Sequence, residues 1–139
     1  MKHTVKWGII GLGNIAFEFA KSFYNVNNAD LIAVASTSND KLIKFKQKFN
    51  INDENIHNYY EKILENDSID IVYIALPNAF HFEWILKAIE KNKNVFVEKP
   101  YLPKGPNKNY LRWLYTAITR AKKNLYLIGF PNEDFKSIH

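Results

Sequence analysis

Cysteine is absent from the 139 residues. That excludes a disulfide framework, a thiolate nucleophile and any thiolate metal site, and no resident metal is expected. No apolar run reaches the ~18 residues of a membrane span. The opening Met1-Lys2-His3-Thr4 lacks the apolar core of a signal peptide. The expectation is a cytoplasmic protein without membrane contact. The phosphate-loop pattern G-x-x-x-x-G-K-[S/T] does not occur, which excludes an ATPase of that kind.

What is present points to a folded chain. Hydrophobic residues make up 47% and aromatics 15%, too much for a mainly disordered segment. The length fits one domain of about 100–150 residues. A chain near that size hides roughly 68–70% of its unfolded surface. The net charge of +5 is unevenly spread. Residues 1–100 hold 12 basic and 12 acidic side chains, and residues 101–139 hold 7 and 2. Three of the five prolines, Pro100, Pro103 and Pro106, mark the same boundary.

Strand and helix patterns alternate. Residues 5–10, 31–35, 69–76 and 94–97 are short apolar runs that read as buried strands, with a weaker one at 56–58. Between them, Ile15, Ala16, Phe19, Ala20 and Phe23 repeat at helical spacing, as do Leu42, Phe45 and Phe49. Tyr60, Ile63 and Leu64 suggest a short helix. Residues 82–91 read as a helix with Trp84, Ile85, Ala88 and Ile89 inward. After the prolines, Leu111, Leu114, Tyr115 and Ile118 form a stripe, and 125–128 close as a strand. About six strands interleaved with five helices predict an α/β fold with a parallel sheet covered on both faces. Right-handed crossovers predict a doubly wound Rossmann sheet in the order 3-2-1-4-5-6.

Gly11-Leu12-Gly13-Asn14-Ile15-Ala16 follows the first strand and opens the first helix. This is the G-x-G-x-x-A form of the dinucleotide fingerprint. Gly11 permits the tight turn, Gly13 lets backbone approach a pyrophosphate, and Ala16 allows close helix–strand packing. The helix N-terminus offers free N–H groups and partial positive charge. A tight turn without a ligand is the bland alternative. About 20 residues further on, an acid would grip a ribose 2′-OH. Ser36-Thr37-Ser38 stands there instead, with Lys41 nearby. These groups favour NADP over NAD by a small margin, and a plain helix-cap role for residues 36–40 fits equally well.

Pro77-Asn78-Ala79-Phe80-His81 follows the fourth strand and Glu98-Lys99-Pro100 the fifth. Ligands of open α/β sheets bind outside the carboxyl ends of the strands, so three polar motifs project toward one crevice. With Gly8-Ile9-Ile10-Gly11-Leu12-Gly13-Asn14-Ile15-Ala16, Ala75-Leu76-Pro77-Asn78 with His81, and Val97-Glu98-Lys99-Pro100, residues 4–100 resemble the N-terminal half of the glucose–fructose oxidoreductase/inositol dehydrogenase (Gfo/Idh/MocA) family. The resemblance implies that Pro77, Asn78 and His81 lie along the cofactor. It implies that Glu98 contacts the nicotinamide side and that Lys99 is the catalytic lysine. It also suggests a cis Lys99-Pro100 bond. Family enzymes carry a second α/β domain that covers the substrate. Its absence here leads to the expectation of nucleotide binding without efficient turnover, because hydride transfer needs a held substrate.

The segment after residue 100 reads differently. Leu114-Tyr115-Thr116-Ala117-Ile118-Thr119-Arg120-Ala121, followed by Leu125-Tyr126-Leu127, resembles the last conserved motif of UvrD/RecD-like superfamily-one helicases. The resemblance implies that Arg120 matches an arginine that senses the ATP γ-phosphate. Without a phosphate loop that role has no substrate. Lys104, Lys108, Arg112, Arg120, Lys122 and Lys123 make phosphate contacts a minor reading, and +5 with no second basic face argues against it. A structural role fits better: residues 108–123 supply a helix and 125–128 the sixth strand. Residues 1–139 are then expected to form one domain, oxidoreductase-like to residue 100 and of foreign origin beyond it.

The resulting expectation is an NAD(P)-binding domain. Gly11, Gly13, Asn14 and Ile15 hold the pyrophosphate, and Ser36 and Thr37 the adenosine ribose. Leu76, Pro77, Asn78, His81, Glu98 and Lys99 meet the nicotinamide half. The alternative is a structural or homo-oligomerising module with a vestigial site, driven by apolar surface near the crevice.

Overall fold

The computed structural model describes residues 3–98 and the strand at 125–128. Six parallel strands form one sheet: β1 (Val5–Ile10), β2 (Ala29–Ala35), β3 (Ile56–His57), β4 (Ile71–Ile74), β5 (Asn94–Glu98) and β6 (Leu125–Ile128). Their order is β3-β2-β1-β4-β5-β6, as the alternating pattern predicts. β1 lies in the middle, with Val5 opposite Ala29 of β2 and Trp7 opposite Ile71 of β4. The predicted sixth strand pairs beside β5, Val95 opposite Leu125 and Glu98 opposite Ile128.

Among the described residues, four α-helices cover the sheet: α1 (Asn14–Lys21), α2 (Asn39–Phe49), α3 (Glu61–Glu65) and α4 (Asn78–Glu90). The period-two alternation of the strands sends neighbouring side chains to opposite faces. Ile9, Val34 and Tyr73 pack with Ala16, Ala20, Leu42 and Phe45 of α1 and α2. Ile10, Ala35, Val72, Ile74 and Val95 pack with Ile63 of α3 and Trp84 and Ile85 of α4. Both faces are therefore dry along Gly8–Ile10, Ala33–Ala35 and Ile71–Ile74, which explains the apolar runs there, while Lys6 and Asp30 lie at the exposed amino ends of β1 and β2.

Helix ends follow local chemistry. The Ser38 hydroxyl accepts from Lys41 N at the start of α2, Asp40 sits in its first turn, and Lys46 and Lys48 sit in its last. Asn50 ends the helix in the left-handed region at φ 52°, where asparagine is tolerated better than other non-glycine residues. α4 begins at Asn78, four residues before the start that its apolar stripe suggests. Pro77 caps it with φ −55°, and Phe80 N donates to Pro77 O at 2.9 Å. The stripe marks the inward face only, whereas the backbone turn at Pro77 sets the start.

One buried cation has no counterpart in the apolar pattern. Lys93 is 7% exposed, and its Nζ donates to Asn66 O at 2.6 Å and Ile69 O at 3.1 Å. It ties the turn before β4 to the turn before β5. The predicted cis Lys99-Pro100 bond and the helix at 108–123 lie outside the described residues. Among the described residues, no helix is long and apolar enough to cross a membrane.

Phe45 tests the α1–α2 face. It is 1% exposed, with ring centroids 5.5 Å from Phe17 and 5.2 Å from Phe49. Phe45→Ala is expected to cost about 3–5 kcal/mol of stability by urea unfolding. A loss below about 1 kcal/mol would mean that this face is not a packed core.

Candidate functional site

The carboxyl ends of β1, β2, β4 and β5 open into a cleft of about 900 Å³. Its floor is the turn from Gly11 to Ala16. One side is the loop from Ser36 to Ser38 with Lys41. The other carries Tyr73, Leu76, Pro77, Asn78, His81 and Glu98. All of the predicted cofactor residues in the described part of the chain therefore line one cavity. Lys99 lies outside the described residues.

The two glycines of the turn serve different purposes. Gly11 has φ +90°, and a Cβ there would stand 2.8 Å from Ala75 O and 2.9 Å from Leu76 Cδ2. Backbone conformation and the approach of β4 both require glycine. Gly13 is extended, at φ −77° and ψ −173°. A Cβ on it would meet no heavy atom within 4 Å. Its missing side chain leaves space in the cleft at the start of α1. No side chain caps that end, so the first-turn N–H groups face the cavity with the partial positive charge of the helix terminus. The arrangement suits an anion.

On the β2 side, the Ser36 hydroxyl accepts from Ser38 N at 3.1 Å, and the residue is 5% exposed. Ser36 therefore shapes the loop, while Thr37 and Lys41 are exposed. No carboxylate ends β2, as the sequence indicates. Asp40 is exposed in the first turn of α2.

The β4 side is more structured than its sequence suggests. His81 is 4% exposed, and its Nε2 lies 2.6 Å from Leu76 O. Burial lowers its pKa below the usual 6.5, and the bond to Leu76 opposes that shift. A neutral ring that donates its Nε2 proton to Leu76 O satisfies the geometry. His81 thus fixes the backbone between β4 and α4, and its ring borders the cleft from beneath. Tyr73 was not singled out by the sequence, yet it lines the cleft and donates its hydroxyl to Glu98 Oε1 at 3.0 Å. Burial, then the Glu98 charge and then the hydrogen bond raise the Tyr73 pKa well above its ordinary value. The signal available was a hydroxyl inside Ile71-Val72-Tyr73-Ile74, because a buried tyrosine O–H needs a partner.

Comparisons with known proteins agree with this geometry. Residues 5–125 match the GFO_IDH_MocA model, described as an oxidoreductase family with an NAD-binding Rossmann fold. Oxidoreductase P35 of Formosa agariphila is 37% identical over 134 residues, covering 96% of this chain and 40% of that protein. D-xylose 1-dehydrogenase (NADP(+)) of Hypocrea jecorina is 34% identical over 109 residues, covering 71% of this chain and 28% of that protein. A solved 3-ketoreductase from Actinomadura kijaniata, in complex with NADP and TDP-benzene, superposes with a TM-score of 0.72 at 26% identity. It covers 90% of this chain and 37% of that one. The chain thus spans two fifths or less of the length of these relatives.

The glycines give a paired test. Gly11→Ala is expected to lose about 2–4 kcal/mol, from strain at positive φ and the contact with Ala75 O. Gly13→Val is expected to stay within about 0.5 kcal/mol of the parent, because its side chain enters open space. Equal losses in urea unfolding would refute the division of labour.

The histidines give a pH test. Both His81 and His57, the latter through burial and then Lys62, have lowered pKa values in the folded chain. The unfolded state then binds more protons once pH drops below about 6.5. Their stability contribution is complete above that pH and is lost as pH falls through the folded values. The urea midpoint should fall from pH 7 to pH 5, with a shallower fall in His81→Gln. An unchanged slope in that variant would remove His81 from the account.

Proposed function

The chain belongs to the Gfo/Idh/MocA oxidoreductase family, with its NAD-binding Rossmann fold, and on that premise we propose that these residues bind NADP, and NAD less tightly, in the cleft. The observation that carries the reading is the open space beside Gly13 at the uncapped start of α1. It fits a pyrophosphate, which needs backbone approach and N–H donors rather than side chains. When bound, the cofactor supplies a hydride donor or acceptor at its nicotinamide ring.

The chain's own residues do the holding. Gly13, Asn14 and Ile15 take the pyrophosphate along the first turn of α1. Thr37 and Lys41 meet the adenosine ribose, on a loop that Ser36 keeps in shape. Hydroxyls and a cation in place of a ribose-binding acid support a 2′-phosphate. The Hypocrea dehydrogenase and the Actinomadura ketoreductase, both named with NADP, lean the same way. Leu76, Pro77, Asn78 and Glu98 form the wall for the nicotinamide half, with His81 setting the course of that wall. Lys99, next to Glu98 in the motif, is proposed as the catalytic lysine.

Efficient hydride transfer needs an alcohol held over the ring. The described residues form a floor and two walls suited to the cofactor, so the activity proposed for them is cofactor binding. The segment at 108–123, with its helicase-like run and Arg120, stands in sequence between β5 and β6, and the phosphate-loop pattern does not occur in this sequence.

Titration with NADH and NADPH tests the reading, followed by energy transfer from tryptophan; Trp84 lines the cleft. Saturable binding of both is expected, tighter for NADPH. Lys41→Ala should weaken NADPH several-fold, equivalent to about 1 kcal/mol, and leave NADH unchanged. Gly13→Val should abolish both while the protein stays folded. Absence of saturation up to millimolar cofactor would overturn the proposal.

A further inference from the structure

Tyr73 stands in β4 among aliphatic neighbours and is 1% exposed. Its ring is held at 4.4 Å from Phe19 and 5.1 Å from Phe96, centroid to centroid. Phe19 in turn stacks on Phe96 at 5.4 Å and tilts against Trp7 at 5.5 Å. A ring clamped on several sides has a fixed direction for its hydroxyl. That direction leads to Glu98 Oε1, 3.0 Å away at the carboxyl end of the next strand. Both residues line the cleft beside Ile74, Ala75 and Leu76.

The pair sits on the β4–β5 side of the point where strand order reverses. A dinucleotide laid across that point has its adenosine half over β2 and its second half over β4 and β5. We propose that Tyr73 is a positioning residue that holds the Glu98 carboxylate against the nicotinamide end of the cleft, so that the site prefers the oxidised, cationic ring to the reduced, neutral one. The inference rests on the reading of the cleft as a nicotinamide dinucleotide site. It adds a role for Tyr73 and a redox preference that cofactor binding alone does not contain.

The physical argument is a difference in charge. Oxidised nicotinamide carries one positive charge on the ring, and the reduced ring carries none. A fixed carboxylate therefore interacts with the two forms differently, whereas every contact to phosphate, ribose and adenine is common to both. The half-buried setting of Glu98 between apolar walls weakens solvent screening. The hydrogen bond from Tyr73, at 3.0 Å, comes from a ring clamped by its neighbours, and that fixed donor sets the carboxylate's orientation. A free glutamate would spend most of its time turned to water.

Two variants separate geometry from charge. Glu98→Gln keeps an oxygen for the Tyr73 hydroxyl and removes the charge. Tyr73→Phe keeps the charge and the ring packing and removes the anchor. The measurements are the dissociation constants of the 139-residue chain for NADP+, NADPH and 2′-phospho-ADP-ribose (ADP-ribose below), the last being the cofactor without its nicotinamide ring. In Glu98→Gln the ratio of the NADP+ to the NADPH dissociation constant is expected to rise about tenfold. That fold-change equals about 30 mV in the potential of the bound two-electron couple. In Tyr73→Phe the ratio should rise about threefold or more, with ADP-ribose affinity unchanged in both variants.

An unchanged ratio in either variant overturns the inference, even where the dinucleotides still bind. Equal weakening of NADP+, NADPH and ADP-ribose in Tyr73→Phe also overturns it, because that pattern marks a general loss of structure. If the parent chain binds ADP-ribose but shows no difference from either dinucleotide, the nicotinamide half makes no contact and the inference falls alone. If it binds none of the three, the reading of the cleft falls with it.

Discussion

The arrangement depends on the approach of two strand ends at Gly11. β1 runs between β2 and β4, and its end is tied to both: Gly11 N donates to Ala35 O at 3.0 Å, and Ala75 N donates to Ile10 O at 2.8 Å. The chain then leaves β1 through a positive φ, with Ala75 O filling the space where a side chain would start. From this point α1 packs on one face of the sheet and α4 on the other. The crevice between them follows from the strand order, since neighbouring connections depart in opposite directions. Any β-carbon at residue 11 would press on the end of β4. That pressure would reach Leu76, whose carbonyl holds His81, and Pro77, which caps α4.

The cleft that results has two chemically different halves. The turn and the start of α1 offer backbone donors, small side chains and empty space. The β4–β5 side offers aromatic packing, a carboxylate and a histidine tied to backbone. The first half suits a charged, symmetric group whose orientation matters little. The second half suits a ring whose orientation matters greatly. Rigid aromatic packing of Trp7, Phe19, Tyr73 and Phe96 supplies that second demand, because precise placement needs side chains locked by their neighbours.

The legible part of the fold is the part with local causes. Apolar runs, helical stripes and the glycine turn each declare themselves within about ten residues, and right-handed, uncrossed connections leave few strand orders to choose from. The same holds for the cavity, since motifs at three strand ends share one edge. The rest was decided by side-chain partners that no apolar pattern declares, some of them far away in sequence. Tyr73 is one more apolar residue of a strand until Glu98, 25 residues later, meets its hydroxyl. Lys93 reads as a surface lysine until the carbonyls of Asn66 and Ile69 close on it. Ser36 reads as a ligand hydroxyl, and in the fold its oxygen also accepts from Ser38 N. His81 reads as facing the cofactor, and Leu76 O claims its Nε2.

The tail shows how little a short pattern decides by itself. An amphipathic helix followed by an apolar strand is what the last crossover of this sheet requires, and β6 pairs in register with β5 along four residues. The same helix–strand sequence pattern closes other α/β domains, so an eight-residue likeness to a helicase motif does not separate the two. The longer comparisons carry more weight at this point. The family match runs to residue 125 and the Formosa protein aligns over 134 residues, so the segment past residue 100 aligns with oxidoreductases too. An arginine that senses a γ-phosphate acts only beside a phosphate loop, and that pattern is absent from this sequence. Function follows the site, and the helix start at Gly13 has the uncapped end and the open space that suit a phosphate.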